Sequence, residues 1–268
     1  MVRMAVAGAA GRMGKRIVQL AAAHPQLEVA AAFEVPGHPA VGRPLSEVAS
    51  VAGLGLLLGD DPAAAISAAE VLVDFTAPEA SLKNLALAAG AGRACVIGTT
   101  GLNEAQKKDL AVLSRKAPVV YAPNMSVGMN LMFRLAGQMA KVLGPDYALE
   151  VLEAHHDQKK DAPSGTAIRI IEQLAKARGW DPQKAAMHGR VGMVGARPQD
   201  EIGVSVIRGG DIVGDHTVYF IGQGERLELT HRAHSRDTFV QGALRAALWV
   251  KGRVPGLYDV ADVLGLKE

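Results

Sequence analysis

A chain of 268 residues, 49% of them hydrophobic, is too long for a minimal domain and can bury a large core. Its formal net charge of +2, with no dominant basic run, argues against a nucleic-acid partner. No apolar stretch is long enough to cross a bilayer and no signal peptide is visible, so no membrane partner and a cytoplasmic location are expected.

Met4 opens a short apolar run, 4–7, that predicts a first strand; residues 8–14 form a glycine loop and 15–24 a helix stopped by Pro25. Strands are then predicted at 27–33 and 54–58, a strand and a helix at 71–75 and 78–90, a second such pair at 94–97 and 104–116, and a last strand at 119–122. Aromatic residues are scarce at 4%, so the core must be built of Ala, Val, Leu and Ile. Both features predict an α/β fold with a doubly wound parallel sheet of Rossmann type and right-handed crossovers. Cys95, the single cysteine, lies within one of these runs and reads as a small buried hydrophobe; it cannot form an internal disulfide, which suits a reducing compartment.

The rhythm changes after Asn124. Helices at 130–142 and 165–178 flank a strand at 147–154, and strands at 202–208, 215–221 and 225–231 follow one another across glycine turns. Strand after strand predicts a second α+β domain on a mixed or antiparallel sheet. A final helix is expected at 236–251. The expected division is 1–126, completed by 236–268, and 127–235, with Ser126 and Gly128 as a hinge.

Gly8, Ala9, Ala10, Gly11, Arg12 and Met13 lead into Gly14 between the first strand and the first helix. Glycines here permit a tight turn, close approach of backbone N–H groups to a pyrophosphate, and helix–strand packing. A loop of this kind is weak evidence alone, since a tight turn needs no ligand. Glu34 ends the second strand at the place where an acidic residue binds the adenosine ribose hydroxyls. Its carboxylate would repel a 2′-phosphate and its neighbour Val35 carries no charge, so NADH is favoured. Arg12, Lys15 and Arg16 leave NADPH as the alternative. Gly98, Thr99 and Thr100, together with Asp74, Phe75 and Thr76, and with Ala122, Pro123, Asn124 and Met125, fall at the carboxyl ends of later strands, where ligands of open α/β sheets bind. The first of these segments also reads as a helix-capping turn.

The richest stretch runs from Glu153 to Ala167 and holds His155, His156, Lys159, Lys160, Pro163, Ser164, Gly165 and Thr166. It leaves a strand and enters a helix with Ser164 as N-cap, so its N–H groups and a nearby ammonium suit an anionic substrate, with imidazoles for proton transfer. Adjacent strand residues point to opposite faces and no third ligand is evident, so no metal is expected. Taken singly, each residue has a plain structural reading: a satisfied core histidine, a solvated lysine loop, a helix start.

Every fixed position of the pattern E-x-H-H-x-x-K-x-D-x-P-S-G-T-A is filled in that stretch, and the chain therefore resembles the dihydrodipicolinate reductase family. The glycine loop, the turn at 98–101 and the run Ser235, Arg236, Asp237, Thr238, Phe239 fit the same family in the same order. The resemblance implies reduction of 4-hydroxy-tetrahydrodipicolinate to tetrahydrodipicolinate with a reduced nicotinamide cofactor, in lysine biosynthesis through diaminopimelate. It implies proton exchange at His155, a proton donor in Lys159, carboxylate binding by His156, Ser164, Gly165 and Thr166, and a homotetramer joined through the second domain's sheet. Many members have Arg after the acidic residue where this chain has Val35, which weakens the case for NADPH. The competing readings are another dinucleotide-dependent oxidoreductase, which lacks a well-placed cysteine nucleophile here, and a non-catalytic dinucleotide-binding regulator, which gives His155 and Lys159 no purpose.

Overall fold

Residues 1–267 are described by a computed structural model. In chain order it contains β1 (Val2–Ala7), α1 (Arg12–Ala22), β2 (Leu27–Phe33), α2 (Leu45–Val48), α3 (Pro62–Ser67), β3 (Val71–Asp74), α4 (Pro78–Gly90), β4 (Ala94–Ile97), α5 (Glu104–Leu113) and β5 (Pro118–Tyr121). There follow α6 (Val127–Leu143), β6 (Ala148–His155), α7 (Gly165–Arg178), α8 (Pro182–Ala185), β7 (Ala186–His188), β8 (Ile202–Arg208), β9 (Gly214–Ile221) and β10 (Arg226–Ala233). The last elements are α9 (Asp237–Val250), β11 (Gly256–Tyr258) and α10 (Val260–Val263). These elements fall into two compact units, one of Met1–Val127 with the segment from Asp237 on, the other of Gly128–Arg236.

The first unit's sheet has the order β11-β5-β4-β3-β1-β2, with every pair parallel. All four residues of β3 and of β4 are buried, as continuous apolar runs must be when helices cover both faces. The pleat sends alternate residues to opposite sides. Met4, Val6, Val73 and Val96 join Ile17 and Val18 of α1 and Val240 and Ala247 of α9 in one core. Ala5, Ala7, Leu72, Cys95 and Ile97 join Ile66 of α3, Leu85 of α4 and Leu110 of α5 in another. Cys95 is fully buried, and burial pushes its thiol pKa well above the ordinary range, so it is a packing residue.

The second unit's sheet is mixed, in the order β10-β9-β6-β8-β7: β6 and β7 run parallel to β8, and β9 is antiparallel to β6 and β10. Leu149, Val151, Val204, Val218 and Phe220 pack against Met132 and Phe133 of α6 and Ile170 and Leu174 of α7. Helix α7 ends where Gly179 takes a left-handed conformation (φ 71°), with Lys176 and Arg178 in its last turn.

The strand expected at 54–58 does not form. Leu57 makes one isolated bridge to Pro44, and the backbone bonds of Leu56 and Leu58 go to Leu45 and Arg43. Glycines at 53, 55 and 59 weaken the run as a strand. Helix α1 starts at Arg12, inside the expected loop, and α6 starts at Val127, so Val127 and Gly128 of the expected hinge are helical and Ser126 is buried.

Candidate active site

Strand register sets one edge of the first unit. Tyr121, Ile97, Asp74, Ala7 and Phe33 stand opposite one another at the carboxyl ends of β5, β4, β3, β1 and β2. One step further lie Ala122, Gly98, Phe75, Gly8 and Glu34. The segments expected to bind cofactor are thereby gathered along one edge, with β1 paired to both β2 and β3 at the switch point of the winding.

The glycines of the loop have distinct reasons. Gly8 has φ +63°, open to glycine at little cost, and its N–H donates to Phe33 O at 2.9 Å. Gly14 is buried in the first turn of α1, and a Cβ there would sit 2.1 Å from Gly8 O. Gly11 caps α1 without a side-chain hydrogen bond and is exposed, as is Arg12. That is a cradle fitted to a pyrophosphate. Glu34 accepts the Ala10 N–H at 2.9 Å, so it also holds the loop in shape. Arg16 is committed: its guanidinium meets Asp237 at 2.6 Å through Nε and Nη2, and Nη1 donates to Gln19. Of the three cations near the loop, Arg12 and Lys15 remain exposed without such a clamp.

Behind the edge lies a polar knot around Asp74, whose bonds to Ser81 and Asn84 no sequence motif announces. Asp74 is fully buried, and its Oδ1 accepts from Thr76 N–H (2.8 Å), Thr76 hydroxyl (2.6 Å) and Ser81 hydroxyl (2.8 Å). Its Oδ2 accepts from Asn84 at 2.8 Å, and Ser81 Oγ lies 2.6 Å from Thr99 Oγ1. Thr99 therefore faces inward and Thr100 outward. Gly98 is required because a Cβ would lie 2.0 Å from the Phe75 ring. The cap of α5 is Asn103 with Gln106, not the threonines. Ala122 and Met125 are buried, Pro123 is exposed, and Asn124 Oδ1 accepts the Ser126 N–H at 2.9 Å.

In the second unit, β6 alternates, so Glu153 and His155 share a face; His156 stands just past the strand end, its N–H donating to Ile212 O at 2.8 Å. His155 is 8% exposed, with Nδ1 2.6 Å from Glu153 Oε2. Glu153 is fully buried and forms a two-pronged pair with Arg208 at 2.8 Å on each oxygen. Burial raises the Glu153 pKa, but Arg208, His155 and the Ser164 N–H outweigh it and hold the group below the usual carboxylate range. For His155, burial first, with the Lys159 and Arg208 charges, lowers the pKa more than Glu153 raises it, so the ring is neutral near pH 7. Lys159 reaches Asp161 at 2.9 Å in the loop that follows. Ser164 caps α7 by accepting the Ala167 N–H at 3.1 Å, and its hydroxyl lies 3.2 Å from His216 Nε2. Gly165, the first residue of α7, is exposed with open space about it, and Thr166 follows. Sequence reasoning missed Arg208 and His216, which come from β8 and β9 and carry no local motif. Among the described residues no cluster of His, Cys, Asp or Glu could hold a metal ion.

Residues 2–125 match the family model described as dihydrodipicolinate reductase, N-terminus, and residues 128–264 match the one described as its C-terminus. The chain belongs to the dihydrodipicolinate reductase family. It is accordingly an oxidoreductase of the Rossmann type with a second, mixed-sheet domain. Curated members of the family include 4-hydroxy-tetrahydrodipicolinate reductases of Citrifermentans bemidjiense, 51% identical over all of both chains, and of Geobacter sulfurreducens, 49% identical over all of both. Among solved structures, the dipicolinate-bound dihydrodipicolinate reductase of Paenisporosarcina sp. TG-14 has a TM-score of 0.77 at 26% identity, covering 98% of each chain. The scyllo-inositol dehydrogenase of Lactobacillus casei with NAD(H) and scyllo-inositol has a TM-score of 0.55 at 13% identity, covering 92% of this chain and 87% of that one, a likeness of fold alone.

Proposed function

We propose that this chain performs its family's reaction through the residues gathered at these two places. The reaction is reduction of 4-hydroxy-tetrahydrodipicolinate to tetrahydrodipicolinate, in lysine biosynthesis through diaminopimelate. The observation that carries the assignment of roles is the cluster of His155, Arg208 and the α7 N-terminus around one buried, ionised Glu153, with the Lys159 charge acting on the same His155 ring.

When bound, a reduced nicotinamide supplies hydride. Gly8, Ala9, Ala10, Gly11, Arg12 and Met13 would hold its pyrophosphate and Glu34 its adenosine ribose. Gly98, Thr99, Thr100, Ala122, Pro123, Asn124 and Met125 would border the nicotinamide end. NADH is favoured, because Glu34 repels a 2′-phosphate, Val35 is an exposed neutral residue and Arg16 is tied to Asp237. Exposed Arg12 and Lys15 keep NADPH as the alternative.

The substrate is a small dicarboxylate. The N–H groups of Gly165 and Thr166, with His156 and the Lys159 ammonium, receive its carboxylates; Ser164 shapes that site by capping the helix. The substrate hydroxyl leaves as water, and hydride plus one proton complete the exchange; Lys159 is a proton donor, and neutral His155 takes up a solvent proton at Nε2 and returns it to the reaction. The second unit's sheet supplies a homotetramer interface: strand alternation leaves Ile207 and Ile221 on the face opposite the α6 and α7 core, 47% and 39% exposed. A reducing cytoplasm suits the lone thiol of Cys95.

A coupled assay tests the reading. The unstable substrate is made in place from pyruvate and aspartate semialdehyde by the preceding synthase, and oxidation of NADH, then NADPH, is followed. Synthase-dependent oxidation, faster with NADH, is expected. Absence of turnover by a chain that still binds NADH would overturn the substrate assignment.

A further inference from the structure

Glu153 does more than fill a buried site. Four donors converge on it: two from Arg208, the Ser164 N–H at 2.9 Å and His155 Nδ1 at 2.6 Å. An ionised carboxylate only accepts, so the proton of that last bond belongs to Nδ1. Nε2 is then the ring atom left to exchange protons. Gly214 gives it room, since a Cβ at that position would lie 3.1 Å from Nε2. Arg208 also donates to Asp161 O at 2.7 Å, holding the end of the loop that carries Lys159. The Ser164 N–H ties the same carboxylate to the cap of α7.

We propose that Glu153, fixed by Arg208, is a positioning residue for proton transfer: it selects the Nδ1–H tautomer of His155, leaving Nε2 as the exchanging atom, and locks that ring to the N-terminus of α7. This rests on the reading of His155 as a proton-exchanging group. Around His155 stand Glu153 on its own strand, Arg208 on β8, His216 on β9 (ring centroids 5.2 Å apart, edge to face) and Lys159 in the following loop. Burial and the two cations depress its affinity for a proton, and Glu153 opposes them.

The test is Glu153→Gln, which keeps the shape and removes the charge. An amide can donate to Nδ1 and so favours the wrong tautomer. A kcat loss of about 100-fold at pH 7 is expected, with KM for the dinucleotide unchanged. The acid limb of the kcat–pH profile moves to lower pH, a shift that a merely structural role would not produce. Nitrogen NMR of ring-labelled protein reads the tautomer directly: Nδ1–H for neutral His155 in the native chain, Nε2–H gaining in the variant. An unmoved acid limb, or Nε2–H in the native chain, would overturn the proposal. Should the variant fail to fold, the native spectrum decides. That spectrum needs no turnover, so a wrong substrate assignment appears in the coupled assay and not here.

Discussion

Replacing His216 by Gln should take a pH dependence out of the stability of the second unit. His216 is 4% exposed; burial first, and then the neighbouring His155, push its pKa down to about 3. In an unfolded chain it would protonate near pH ~6.5. Stability is whole above that value. Between the two values only the unfolded chain takes up the proton, so each unit of falling pH costs the fold about 1.4 kcal/mol. From pH 6.5 to pH 5 the loss is ~2 kcal/mol, a sizeable share of a typical domain's stability. Gln retains a hydrogen-bonding partner for Ser164 Oγ and does not titrate. Trp180 lies in the second unit and Trp249 in the first. Urea unfolding would therefore be followed by Trp180 fluorescence in a Trp249→Phe background, between pH 7.5 and 5. The native chain should lose stability more steeply than the Gln variant, by about 1.4 kcal/mol per pH unit. Equal slopes would refute the claim that the folded chain keeps His216 neutral.

Three further outcomes are expected. Val35→Arg places a cation beside Glu34 on an exposed position, so KM for NADPH should fall about tenfold while KM for NADH changes little; steady-state kinetics with both cofactors checks it. Asp74→Ala removes the buried acceptor shared by Thr76, Ser81 and Asn84, which should cost about 3 kcal/mol and lower Tm by roughly 6–12 °C in calorimetry. Lys159→Ala should reduce turnover by about 100-fold or more while NADH titration calorimetry shows unchanged binding; near-native turnover would remove Lys159 from the proton path.

The parallel half of the fold was legible because buried strands write themselves as apolar runs. The strands Leu27–Phe33 and Ala94–Ile97 and the helices Pro78–Gly90 and Gly165–Arg178 occur at the expected bounds. Three-residue strands such as β7 and β11 are too short for any periodicity, and Leu257 of β11 is 44% exposed. The run at 54–58 misled because it is apolar like a buried strand but its backbone partners are residues 42–45, not a sheet. The short helices α3 and α8 did have a signal, an Asp N-cap followed by Pro at residues 61–62 and 181–182. At the site, His155 and Lys159 were visible because a contiguous motif carries them. Arg208 and His216 were not, since only the mixed pairing of β8 and β9 with β6 brings them to Glu153.

The return of the chain to its first unit has a bearing on how the molecule is made. Val240, Ala243, Leu244, Ala246, Ala247 and Val250 of α9 are part of the core that also holds β1, β3 and β4, and β11 adds the sheet's outermost strand. A nascent chain leaving the ribosome presents the whole of Gly128–Arg236 before any of these residues. The inserted unit is therefore free to fold while the enclosing one waits with an open apolar surface. The glycine loop is synthesised first, yet its supporting core is completed last.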